Sequence, residues 1–137
     1  MSLSQCKIIH LPTVVDRKGN LIFAESERQI PFAVKRIYFL HNVPEAGMRG
    51  GHAHKALHQL MIAANGSFDV LLDDGLDKQT FHLHTPSQGL YICPMMWREL
   101  RAFSADSVCL VLASDYYDEK DYIRDCLAFC EATKRLV

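Results

Sequence analysis

The run Arg49-Gly50-Gly51-His52-Ala53-His54-Lys55 places two histidines one residue apart, behind a glycine pair and ahead of an apolar stretch. In a strand, side chains at i and i+2 leave the same face, so both imidazoles would enter one cavity. Paired imidazoles suit two chemistries, ligation of a metal ion and movement of protons near neutral pH. The spacing alone does not choose between them. A second pair, His82 and His84 in Phe81-His82-Leu83-His84, has the same spacing but no glycine motif and no acidic partner. It reads as an exposed or edge pair. The five cysteines (Cys6, Cys93, Cys109, Cys126 and Cys130) include no Cys-x-x-Cys and read as small buried hydrophobes in a reducing compartment.

The elements that must position these residues are mostly strands. Residues 19–26 and 34–40 are short runs rich in β-branched and aromatic residues, bounded by turn formers. Residues 58–64, Asn65-Gly66 and residues 67–73 read as a hairpin, because Asn-Gly supplies the positive φ of a tight turn. Asp74-Gly75 leads into another strand over 78–84. Val108–Ala113 is apolar on both parities, which predicts cover on both faces. Turn signals recur at about eight to twelve residues, the rhythm of a sandwich or barrel. Only the C-terminus changes period. Asp118-Glu119-Lys120-Asp121 offers an N-cap and acidic first turn, Ile123, Cys126, Leu127 and Cys130 recur at helical spacing, and Lys134 and Arg135 suit a C-terminal dipole.

The expected architecture is therefore all-β, nine or ten strands in one domain over 1–137, with a C-terminal helix packed outside. An apolar fraction of 49% and a charged fraction of 23% are those of a globular protein. A net charge of −1 gives no electrostatic case for nucleic acid or an anionic membrane as partner. No apolar run is long enough to span a bilayer and no signal segment opens the chain, which together predict a cytoplasmic location.

A double-sheet domain of this size with His-x-His on a strand points to the cupin class, a jelly-roll β-barrel. Gly47, His52, His54, His58 and Gly66 fall on the first cupin motif; Gly89, Pro94 and Trp97-Arg98-Glu99 fall on the second. More closely, Lys35-Arg36-Ile37-Tyr38, the His52 motif, Leu72-Asp73-Asp74-Gly75, Gly89-Leu90-Tyr91 and Leu112-Ala113-Ser114-Asp115-Tyr116-Tyr117-Asp118-Glu119, followed by Asp121-Tyr122-Ile123-Arg124, resemble the WxcM-like cupins. The likeness runs from 15 to 129 in order. That family includes dTDP-4-keto-6-deoxyglucose 3,4-ketoisomerases, which move a carbonyl from C4 to C3 in making amino sugars for surface polysaccharides.

The resemblance implies that His52 and His54 stand at the proton-transfer positions, with neither singled out as the base, and that Tyr38 looks into the sugar pocket. Isomerising an α-hydroxy ketone through an enediol needs a base and acid near neutrality, and cationic or hydroxyl donors near the enolate oxygen. It needs no cofactor. Arg49 is a candidate for the diphosphate, since guanidinium offers a planar fork of donors. Lys18 or Arg17, where the family usually has an Asp-x-Arg-Gly turn, could share it. Tyr91 and Trp97 could line the base or sugar site, and Arg98 could make a phosphate or sugar contact. Family members resemble homodimers, and an exposed strand edge gives a physical reason to pair.

Two departures keep other readings open. His58 stands where a carboxylate is usual, so His52, His54 and His58 could form a three-imidazole metal site. Arg98 stands where a histidine is usual, and a guanidinium cannot ligate a metal and repels one nearby. A metal-dependent cupin enzyme, a sugar-nucleotide epimerase and a non-catalytic sugar-nucleotide binder are the alternatives.

Overall fold

The computed structural model describes residues 2–134. Twelve strands and one α-helix follow in order: β1 (Lys7–His10), β2 (Thr13–Val14), β3 (Leu21–Ile22), β4 (Arg36–His41), β5 (Arg49–His54), β6 (Gln59–Asn65), β7 (Phe68–Asp73), β8 (Lys78–Leu83), β9 (Gln88–Ile92), β10 (Trp97–Arg101), β11 (Val108–Ala113), β12 (Tyr122–Ile123) and α1 (Cys126–Lys134). They form two antiparallel five-stranded sheets, ordered β1-β9-β6-β11-β4 and β12-β5-β10-β7-β8, with β2 and β3 as a separate ribbon. This is a jelly roll whose two sheets stay distinct.

The main core lies between the sheets, where alternate residues such as Met61 and Ala63 of β6 meet Phe68, Val70 and Leu72 of β7. Their neighbours on β6 and β11 (Leu60, Ile62 and Leu112) point the other way and are covered by Leu11, Ile30 and Phe32 of the segment between β1 and β4. The two-sided apolar character of β11 is thus satisfied by cover on both faces. A third cluster sits outside the second sheet, where Phe129 of α1, 1% exposed, packs on Ala53, Trp97 and Ile123. Burying a phenylalanine of this kind contributes roughly 1.5–3 kcal/mol.

Three expectations are corrected. The Asn65-Gly66 turn does not close a hairpin. β6 pairs with β9 and β11 in one sheet, while β7 pairs with β8 and β10 in the other. Gly66, at φ +67°, turns a corner between the sheets, and Ser67 exchanges hydrogen bonds with Ser104 on the neighbouring connection. Asn-Gly supplies the turn but does not choose the partner.

Residues 19–26 contain only the two-residue β3 and an isolated bridge at Ser26, because the segment serves as a cover rather than a sheet strand. The C-terminal helix begins at Cys126, not at Asp118. Asp118 does cap, accepting from the Lys120 amide, but the turn is a single 3₁₀ turn, Glu119–Asp121. Ile123 then pairs in β12 opposite Ala53, so its helical spacing with Cys126 is coincidental. Arg135 lies outside the described residues.

Candidate active site

Between the sheets, β4, β5, β10 and β12 border a cavity of about 400 Å³. Strand alternation chooses its lining. On β4, Arg36 and Tyr38 point inward while Ile37 and Phe39 point to solvent. On β5, His52 and His54 share the inner face and Ala53 lies beneath α1. On β10, Arg98 lies inside and Trp97 outside. Gly50, at φ +83°, makes the approach of β5 to β10 possible: a Cβ there would lie 2.9 Å from the Arg98 carbonyl oxygen. The register of β10 slips by a bulge at this point, which sets Arg98 opposite His52.

Four arginines line the cavity (Arg36, Arg49, Arg98 and Arg124) and, among the described residues, no carboxylate does. Such a lining attracts anions. Arg98 is the anchor. It is 2% exposed, donates through Nη1 to Gln59 Oε1, and donates through Nε and Nη2 to the Met96 carbonyl at 3.2 and 3.1 Å. Its partners are all neutral, so a buried positive charge stays uncompensated at the cavity wall. Gln59 in turn donates through Nε2 to the Tyr38 hydroxyl at 3.0 Å. Burial pushes the Tyr38 pKa up, so the phenol keeps its proton and has it free to donate.

The histidines are held neutral. Burial, then the nearby Arg98 cation, push His52 down to about 4. The same two causes push His54 further, to about 2. The rings meet edge to face with centroids 4.9 Å apart, and Tyr122 packs against both, at 4.9 and 4.3 Å. They are not equivalent. His52 lines the main cavity, while His54 is 1% exposed and borders a second, smaller cavity with Asp121.

The other expected residues divide. Tyr38, Arg49 and Arg98 join His52 at the main cavity. Trp97 does not; its ring packs on Phe129 and its Nε1 donates to Glu99. Adjacent strand residues leave opposite faces, so Trp97 and Arg98 could not both line one cavity. Tyr91 and His58 are outside the main cavity too. Burial pushes the half-buried His58 pKa down, and its Nδ1 hydrogen-bonds the Tyr91 hydroxyl at 2.7 Å beside Phe32, a residue of the outer cover. The three-imidazole metal set is therefore not assembled, and among the described residues no group of three or more metal-ligating side chains is placed to hold an ion. Arg17 and Lys18 lie in the exposed turn between β2 and β3, away from the cavity.

Sequence reasoning missed Arg36, Gln59, Tyr122 and Arg124. Arg36 shares the parity of Tyr38 two residues on, a signal that was available. Arg124 lies with its guanidinium 4.1 Å from the Tyr122 ring centre and donates to both carboxylate oxygens of Glu119, at 2.6 and 2.9 Å. Extending the helix back to Asp118 hid both Tyr122 and Arg124. Of the cysteines, Cys6, Cys93 and Cys109 are buried as expected, while Cys126 is exposed. The Sγ atoms of Cys6 and Cys93 stand 3.6 Å apart.

The family model described as FdtA: WxcM-like, C-terminal, matches residues 4–134. The chain belongs to this WxcM-like family. A TDP-4-oxo-6-deoxy-alpha-D-glucose-3,4-oxoisomerase of Aneurinibacillus thermoaerophilus is 46% identical over 118 residues, covering 86% of this chain and 85% of that one. The solved 3,4-ketoisomerase QdtA of Thermoanaerobacterium thermosaccharolyticum, a histidine-to-asparagine variant in complex with TDP-4-keto-6-deoxyglucose, superposes with a TM-score of 0.95 at 39% identity, covering 98% of this chain and 97% of that one. A 3,4-ketoisomerase of Helicobacter canadensis superposes with a TM-score of 0.92 at 41% identity, covering 94% and 97%. This WxcM-like chain thus shares both sequence and jelly roll with ketoisomerases along nearly its whole length.

Proposed function

We propose that this chain is a 3,4-ketoisomerase of a dTDP-linked 4-keto-6-deoxyhexose, moving the carbonyl from C4 to C3. One observation carries the reading: a neutral imidazole, His52, faces a cavity whose wall holds a buried guanidinium, Arg98, paired only to neutral groups. That is a base beside a fixed positive charge. The named activities of the relatives, and the keto-sugar bound by one of them, support it.

His52 takes the C3 proton, and the electron pair of that bond forms the C3–C4 double bond while the C4 carbonyl oxygen becomes an enolate. Arg98 and the Tyr38 hydroxyl stabilise this oxygen. The C4 oxygen then takes a proton to complete the enediol. The C3 hydroxyl gives up its proton as its oxygen electrons form the new carbonyl, and the electron pair of the C3–C4 double bond takes a proton at C4. The reaction is redox-neutral and requires no redox cofactor. Arg36, Arg49 and Arg124 favour the diphosphate, as planar donors on an anion-attracting wall.

The enzyme works in the cytoplasm, where its five unpaired thiols stay reduced. No helix among the described residues is long and apolar enough to cross a membrane. It acts as a homodimer, because β4 is a sheet edge that exposes Ile37 and Phe39 (57% and 59%). The product serves amino-sugar synthesis for surface polysaccharide.

The deciding experiment is NMR of the product formed from dTDP-4-keto-6-deoxyglucose in heavy water. A 3-keto product labelled at C4 is expected. Deuterium at C3 with inverted configuration and an unmoved carbonyl would make the chain an epimerase instead, and ligand-induced stabilisation without any exchange would make it a binder.

A further inference from the structure

Asp121 lies in the turn that the sequence offers as a helix N-terminus, and its carboxylate does something else. Its Oδ2 stands 2.9 Å from His54 Nδ1. Its Oδ1 accepts the Ala56 amide at 2.8 Å, and its own carbonyl accepts the Lys55 amide at 2.8 Å. The next residue, Tyr122, pairs with His54 in the sheet. The carboxylate is thus tied at several points to the end of β5, with a fixed aim at one ring nitrogen. On the far side of that ring, His54 Nε2 is buried and has no hydrogen-bond partner. His54 itself is 1% exposed and meets His52 edge to face.

A carboxylate oxygen at Nδ1 can only accept, so the single proton of a neutral His54 must sit on Nδ1. Nε2 is then left as a bare lone pair in the interior. The other tautomer would place an N–H dipole there, its positive end buried in an interior where the ring meets His52 edge to face and already feels the Arg98 charge. His52 becomes an imidazolium when it takes a substrate proton, and that dipole would oppose the new charge. The bare lone pair favours it.

We propose that Asp121 is a positioning residue, which locks His54 as the Nδ1–H tautomer so that its Nε2 lone pair supports the proton gained by His52. The effect on turnover rests on the ketoisomerase reading above; the tautomer does not.

The test combines nitrogen-15 NMR of the histidine side chains with steady-state kinetics on the full chain. The wild-type His54 ring should show the Nδ1–H pattern without substrate. In Asp121→Asn the side-chain amide can donate to Nδ1 while its oxygen still accepts the Ala56 amide, so the ring should change to Nε2–H. The variant should lose about 100-fold in kcat with KM within about twofold. If Asp121→Asn does not fold, the wild-type spectrum decides alone: an Nε2–H or doubly protonated His54 overturns the proposal. A changed tautomer with unchanged kcat overturns the catalytic part. Absence of ketoisomerase activity in the wild type overturns the proposed function and leaves the tautomer assignment standing or falling on its own spectrum.

Discussion

Two His-x-His pairs lie on two strands of the same sheet, and they share spacing but little else. His52 and His54 are on β5, an inner strand between β12 and β10. His82 and His84 belong to the edge strand β8 and its end. The first pair is enclosed, with rings edge to face, beside an uncompensated buried arginine. The second pair stacks nearly parallel at 5.4 Å on the outside, where His82 bonds the exposed Asp69 at 2.7 Å. Spacing therefore puts two imidazoles on one face. Enclosure, and the charge opposite, set the inner pair apart, because desolvation and Arg98 hold both of its rings neutral.

The largest effect expected from breaking this contrast is at His52. His52→Asn should lower kcat by about 1000-fold, read by NMR of product formation, while the fold persists. His82→Asn should leave kcat within about twofold in the same assay. Equal losses in the two variants would erase the distinction.

Replacing the charge opposite sharpens the point. Arg98→Met should cost about 100-fold in kcat/KM and also move the acid limb of the pH profile. In the wild type, activity should persist until pH nears 4, where His52 gains its proton. Without the cation that limb should move upward, though not fully to the ordinary 6.5, because burial remains the first cause.

The same groups shape stability. In the unfolded chain both inner histidines take up protons near 6.5, whereas in the folded protein they do so only at about 4 and about 2. Their contribution is therefore present above pH 6.5 and is lost as pH falls below it toward these lower values. Tm measured from pH 7 to pH 4 should fall, and should fall less in His52→Asn.

The smallest effect tests the discarded metal set. His58→Ala should cost about 1 kcal/mol for its bond to Tyr91 and leave kcat within about twofold. Activity should survive prolonged chelation, checked by metal analysis of the treated protein. Loss of activity in both experiments would restore a metal role.

Much of the fold was legible because alternation and turn residues are local signals. β11 was read at its full extent, β7 and β8 to within a residue at an end, and the Asp74-Gly75 turn does join a paired hairpin. The corner at Gly66 was misread because partner choice is not a local property. The end of the chain was misread because capping residues and chance spacing imitate a longer helix. At the site, the same alternation separates Arg98 from Trp97 and joins Arg36 to Tyr38, so part of what was missed was present in the parity of the strands.

By itself the sequence determined the strand periods, the shared face of His52 and His54, and a motif order specific enough to point to the family. Only the tertiary structure decided which faces became the interior. It turned His58 toward Tyr91, set Arg98 opposite His52 through a bulge at Gly50, and brought Asp121 to His54 across 67 residues of chain. The physical reason is that side-chain direction follows from neighbouring residues, whereas desolvation and charge depend on what the opposite sheet and distant turns bring to the same place.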